Sequence, residues 1–146
     1  MKKIVLILTA VMLMAMSSIC LASDGSDLSR QQNTAQLVID SFGEKAPAFN
    51  KVSANFEDSL KKNMDEKNFA NVQKQVKEKF GDLQQVKFYS FERFDAQDRL
   101  TYLASFSNAN VVSIVYVFDK NNKLVEFGLF PQQAAQQDAA AAESAK

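Results

Sequence analysis

VKFYSFERF (Val86–Phe94), RLTYLASFS (Arg99–Ser107), NVVSIVYVF (Asn110–Phe118) and LVEFGLF (Leu124–Phe130) decide the fold of this chain. In each run apolar and polar side chains alternate with a period near 2, the spacing that sends successive side chains to opposite faces of a strand. The connections at Asp95–Asp98, Asn108-Ala109 and Asp119–Lys123 are short and polar. The simplest arrangement is therefore a four-stranded antiparallel meander.

Upstream of Val86 the period is instead near 3.6, the mark of helices. Ala35, Val38, Ile39 and Phe42 form one helical stripe, with Gly43 placed to end it. Phe49, Val52, Phe56 and Leu60 form a second on one helical face, either as a single helix or divided at Pro47 and Ser53 into two short pieces. The third helix has the clearest signals. Asp65 is its N-cap, Met64 and Phe69 stand as a hydrophobic staple, Phe69, Val72, Val76 and Phe80 make the stripe, and Gly81 ends it. Helices first and an antiparallel sheet second make an α+β domain.

Register decides which side chains share a sheet face. Pairing Phe106 with Val111 across Asn108-Ala109 groups Leu100, Tyr102, Ala104 and Phe106 with Val111, Ser113, Val115 and Val117. Val125, Phe127, Leu129, Tyr89 and Phe91 join that face, which is expected to receive the helices. The opposite face then carries Leu103, Val112, Ile114, Tyr116, Phe118, Leu124 and Phe130 among Thr101, Ser105 and Glu126. A slip of one residue would exchange the two faces.

The first 22 residues have the features of a cleaved leader. Lys2 and Lys3 precede the apolar run Ile4–Met16, and Cys20-Leu21-Ala22 places small residues at −3 and −1 of a cut after Ala22. Ile19 is a poor residue to precede a lipidated Cys20, and the apolar run is shorter than the roughly 20 residues a membrane span needs. The expected product is exported to the periplasm or beyond, with no stable membrane anchor. Ser23–Asn33 reads as a flexible lead-in or as the start of the first helix, 34–131 as the single domain, and the Ala/Gln-rich Gln132–Lys146 as a disordered tail or at most a frayed helix.

Cleavage leaves 124 residues, enough for one core, and 15 basic against 17 acidic side chains, a formal charge of −2. Such a chain has no concentrated basic field for nucleic acid. It also loses its only Cys, and with no His or Trp it lacks a disulfide, a thiol–imidazole pair and the His and Cys ligands that zinc sites favour. Burial of its 12 Phe is the expected source of stability.

Few motifs carry chemistry. Ser59-Leu60-Lys61-Lys62 spells S-x-x-K, but the companion S-D-N and K-T-G motifs are missing, so Ser59 reads as an exposed helix residue. Asp119, Asn121 and Asn122 offer hard oxygens, yet Leu124 stands where a calcium loop needs glycine, and a hairpin turn fits them better. No metal and no cofactor is expected. Asp40 and Asp58 read as solvent-facing. Tyr89, Tyr102 and Ser113 are the candidates to line a pocket between helices and sheet, taking a small ligand. Val112, Ile114, Tyr116, Phe118 and Leu124 are the candidates for an exposed interface with a second copy or another exported protein.

Ala54-Asn55-Phe56-Glu57-Asp58-Ser59-Leu60-Lys61, the helix ending at Phe80-Gly81, Tyr116–Leu124 and Phe127-Gly128-Leu129-Phe130-Pro131 carry a resemblance. Over Gln36–Pro131 the chain resembles the domain-of-unknown-function 3887 family, and its element order is similar to that of cystatin-like and nuclear-transport-factor-2-like folds. The resemblance implies a curved sheet wrapped on helices. It also implies occurrence in exported bacterial proteins, in some cases ahead of an α/β-hydrolase domain, and no assigned catalytic residues. No hydrolase domain is expected after Pro131 here, so the domain is expected to act without one. The expected function is a non-catalytic binding or interaction module, with a small-ligand carrier or enzyme as the alternative.

Overall fold

The computed structural model describes residues 25–132. The leader 1–22 and the tail from residue 133 lie outside the described residues. Helix α1 covers residues 25–40, then come α2 (Phe49–Val52), a 3₁₀ turn (Ser53–Asn55), α3 (Asp58–Asn63) and α4 (Glu66–Phe80). Four strands follow, β1 (Leu83–Arg93), β2 (Gln97–Phe106), β3 (Ala109–Asp119) and β4 (Leu124–Pro131), paired antiparallel in the order β1-β2-β3-β4. This is the α+β architecture and meander that the periodicity predicts.

The helices form where their signals stand. The Asp65 carboxylate accepts the Asn68 amide at 2.7 Å and so caps α4. At its other end Gly81 takes φ 82°, where a Cβ would sit 2.0 Å from Ser107 Oγ. That close approach is used. Asn108 N–H donates to Phe80 O at 2.9 Å, Ser107 N–H to Asp82 O at 2.8 Å, and Asp82 N–H to Ser107 Oγ at 2.9 Å. The end of α4 and the β2–β3 turn are thereby locked together. Of the two readings of the polar stretch before Thr34, the helical one holds over residues 25–33, which are the first part of α1 rather than a loose lead-in. Gln31 and Thr34 are buried, and the polar contacts of Asp27 and Gln31 extend the helix beyond its apolar stripe.

The helices cover one face of the curved sheet. Ala35, Val38 and Ile39 of α1, Val52, Phe56, and Phe69, Val76 and Phe80 of α4 form one core with strand residues. Phe80 meets Phe106 at 5.5 Å between ring centroids, Phe69 meets Phe127 at 6.4 Å, and Phe49 meets Phe69 at 5.5 Å. Aromatic pairs at such separations contribute about 0.5–1.5 kcal/mol each beyond the area they bury.

The β2–β3 register differs from the sequence expectation by one residue. Ala104 pairs with Val112, Tyr102 with Ile114 and Leu100 with Tyr116, after a bulge between Ala104 and Phe106. The bulge absorbs one residue beside the tight Ser107-Asn108 turn, and every β3 side chain changes face. Val112, Ile114, Tyr116 and Phe118 consequently enter the core, each at 0% exposure. Leu124 joins them at 0%, because a second irregularity pairs it with Phe118 while Val117 pairs with Glu126. Val111, Ser113, Val115 and Val117 turn to the other face.

Candidate functional site

These corrections rearrange both sets of candidate residues. Val112, Ile114, Tyr116, Phe118 and Leu124 cannot form an exposed interface, since all five are fully buried beneath the helices. The pocket trio is dispersed. Tyr102 does face the helices, 6% exposed, with its ring edge-on to Phe88 at 5.4 Å and to Tyr116 at 5.9 Å. Tyr89 sits at the irregularity between Phe88 and Ser90 and is 67% exposed. Ser113 pairs with Leu103 and Phe130 on the opposite face of the sheet.

What replaces the expected interface is a different set on that same opposite face. Reading across the strands, the rows are Glu92–Arg99–Val117–Glu126, Ser90–Thr101–Val115–Gly128 and Lys87–Leu103–Ser113–Phe130, with Gln85, Ser105 and Val111 beyond. Val111 is 43% and Phe130 54% exposed. The Phe130 ring lies over Gly128, where a Cβ would stand 2.9 Å from it. Apolar and small side chains occupy the middle, and Lys87, Glu92, Arg99 and Glu126 stand toward the margins. Arg99 and Glu92 pair at 3.3 Å.

On the helix side, a cleft of about 410 Å³ opens between α1 and the β1–β2 edge, lined by Gln32, Asn33, Gln36, Val86, Phe88 and Tyr102. Gln36 Nε2 donates to Asp40 Oδ1 at 2.7 Å, one turn along α1. Beside Tyr102 lies Tyr116, whose buried hydroxyl has no hydrogen-bond partner among the described residues. Burial pushes the Tyr116 phenol well above its ordinary range, and neighbouring Tyr102 and Asp40 act in the same direction. Burial also raises Tyr102. Both phenols therefore stay neutral and can serve only as hydroxyl groups, not as bases.

A polar network lies at the end of the sheet where the β1–β2 and β3–β4 turns meet α1. Asp98 is 1% exposed, and its carboxylate accepts from Lys120 Nζ at 2.8 Å, Gln31 Nε2 at 2.9 Å, and Arg93 at 3.1 and 3.2 Å. Gln31 Nε2 also donates to Asn122 Oδ1 at 2.8 Å, and Asn122 Nδ2 donates to Asp27 at 2.9 Å. Burial alone would raise Asp98, but the hydrogen bonds from Arg93, Lys120 and Gln31, with the Arg93 charge, hold it below its ordinary value. A buried anion with these partners ties three chain segments together and is a poor proton acceptor. Sequence reading places Asp98 in a turn. A solvated turn aspartate and a buried one look alike until Gln31 and Asn122, 91 residues apart, come together.

The remaining motifs have local roles. The Ser59 hydroxyl and amide both donate to the Glu57 carboxylate, which caps α3, and Ser59 is exposed. These bonds, the hydroxyl's foremost, lower the Glu57 pKa. Asp119 Oδ1 accepts the amides of Asn121 at 2.9 Å and Lys123 at 2.8 Å, which shapes the β3–β4 turn. Asn122 completes the turn at φ 61°. Asp40 and Asp58 are exposed. Among the described residues no three His, Cys, Asp or Glu side chains gather as a metal site, and no helix is long and apolar enough to cross a membrane.

Comparison with curated proteins and with solved structures finds no match to either. A family model, described as a protein of unknown function (DUF3887), matches residues 35–127, from the apolar stripe of α1 to the inward-facing Phe127 of β4. With well over half of its length matched, and the matched span containing the whole helical core and most of the sheet, this chain belongs to the DUF3887 family.

Proposed function

We propose that this protein is an exported, non-catalytic interaction module that pairs with a second copy of itself through the open face of its sheet. The observation that carries this reading is the arrangement of that face. Leu103, Val111, Val115 and Phe130 surround small Thr101, Ser113 and Gly128, and the charged Lys87, Glu92, Arg99 and Glu126 border them. An apolar centre with a polar rim is the usual anatomy of a protein interface. A two-fold pairing would bury the same patch on both copies.

Export rests on the leader, with its two lysines, its apolar run and the small residues ending at Ala22. The element order and the curved sheet packed on helices support kinship with cystatin-like and nuclear-transport-factor-2-like cones.

Light scattering over a concentration series tests the pairing, comparing the wild type with the double variant Val111→Glu/Phe130→Glu. Both side chains are largely exposed, so the variant keeps its fold, which far-UV circular dichroism verifies. A wild-type dimer converted to a folded monomer is the expected result. A wild type that stays monomeric at the highest concentration, or a variant that stays dimeric, overturns the proposal.

A further inference from the structure

We propose that the cleft between α1 and the β1–β2 edge is a binding site for a neutral, hydroxyl-rich ligand of the size of one sugar ring. Its volume of about 410 Å³ lies at the small end of the range of roughly 300–1,000 Å³ typical of ligand sites.

The lining selects the class of ligand. Gln32, Asn33 and Gln36 stand on neighbouring turns of α1 and present carboxamides, each with two donor hydrogens and an acceptor oxygen. Mixed donors and acceptors match hydroxyl groups, which also do both. The facing wall is apolar and aromatic, made by Val86, Phe88 and Tyr102. Phe88 is 38% exposed although it belongs to the helix-covered side of the sheet, so its ring is offered to the cleft rather than covered by a helix. A sugar ring has a C–H face for such a wall and hydroxyls around its edge for the amides.

Among the described residues no charged side chain lines the cleft, so these residues offer nothing to neutralise a phosphate or a carboxylate. Asp40, which receives the Gln36 amide, is an anion close by and would disfavour an anionic ligand further.

Two-dimensional amide NMR of the protein, titrated with N-acetylglucosamine and separately with glucuronate, tests the assignment. Saturable shifts confined to the side-chain amides of Gln32, Asn33 and Gln36 and the backbone of Phe88 and Tyr102 are expected with the neutral sugar, and much weaker ones with the acid. Gln36→Ala and Asn33→Ala replace outward-facing helical residues by a better helix former, so the fold persists and the spectrum reports it. Each should weaken binding roughly tenfold, the effect of one lost hydrogen bond. No saturable shift at millimolar sugar, shifts located elsewhere, binding untouched by both substitutions, or equal binding of glucuronate would each overturn the proposal.

Discussion

Replacing Asp98 by Asn isolates the charge of the buried carboxylate, because the two side chains have nearly the same size. In the wild type this carboxylate accepts hydrogen bonds from Lys120, Gln31 and Arg93 while only 1% exposed. An amide in its place has one oxygen to accept with, and its NH₂ must point at a group that also donates. Breaking a fully buried ion pair costs about 3–5 kcal/mol. The upper part of that range does not apply here. The Arg93 and Lys120 side chains are 34% and 41% exposed, so water can take over some of their solvation. Gln31 is fully buried and keeps only Asn122 as partner for its NH₂ group. A loss of about 2–3 kcal/mol is expected at neutral pH, which for a domain of this size lowers the melting midpoint by on the order of 10 °C.

Acid supplies the internal control. The folded-state pKa of Asp98 lies below its ordinary value of 3.8, so its stabilisation is fully present above that value and disappears as pH falls through the folded pKa. Protonated Asp and Asn then resemble each other, and the two proteins should converge in stability. Urea unfolding followed by far-UV circular dichroism at a series of pH values measures the gap. A difference below about 0.5 kcal/mol at neutral pH, the size of an ordinary surface substitution, would refute the argument. So would a gap that stays constant into strong acid.

Two further substitutions probe the other structural claims. Gly81→Ala should destabilise by about 2 kcal/mol or more in the same urea assay, since φ is 82° and the new Cβ would collide with Ser107, which also bonds Asp82. Tyr116→Phe should be neutral or stabilising by up to about 1 kcal/mol, because the hydroxyl it removes is buried without a partner among the described residues. A cost of several kcal/mol there would show that the hydroxyl has a partner after all.

Much of the candidate site was invisible at the level of pattern. The two sheet faces are both apolar enough to be buried, with Val112, Ile114 and Tyr116 on one and Val111, Val115 and Val117 on the other. Alternation reports that β3 has two faces but not which one the helices cover. The cleft escaped for a different reason. Gln32, Asn33 and Gln36 carry no charge, nucleophile or metal-binding atom, and Gln32 and Asn33 fall in the polar stretch whose pattern fits a lead-in as well as a helix.

Features that depend on local periodicity and end signals were legible before any packing was known. The apolar stripes Ala35–Phe42 and Phe69–Phe80, the Asp65 cap, the Gly81 stop and the four alternating runs in meander order all reappear in the structure. Each of these is settled within a few residues by backbone propensity and side-chain spacing. The tertiary structure decided the register of β2 against β3, because one bulged residue costs little locally yet moves every β3 side chain from one face to the other. It also decided that Asp98 is a buried junction rather than a solvated turn residue. Its partners come from positions 31, 93 and 120, and only packing brings such distant donors to one carboxylate.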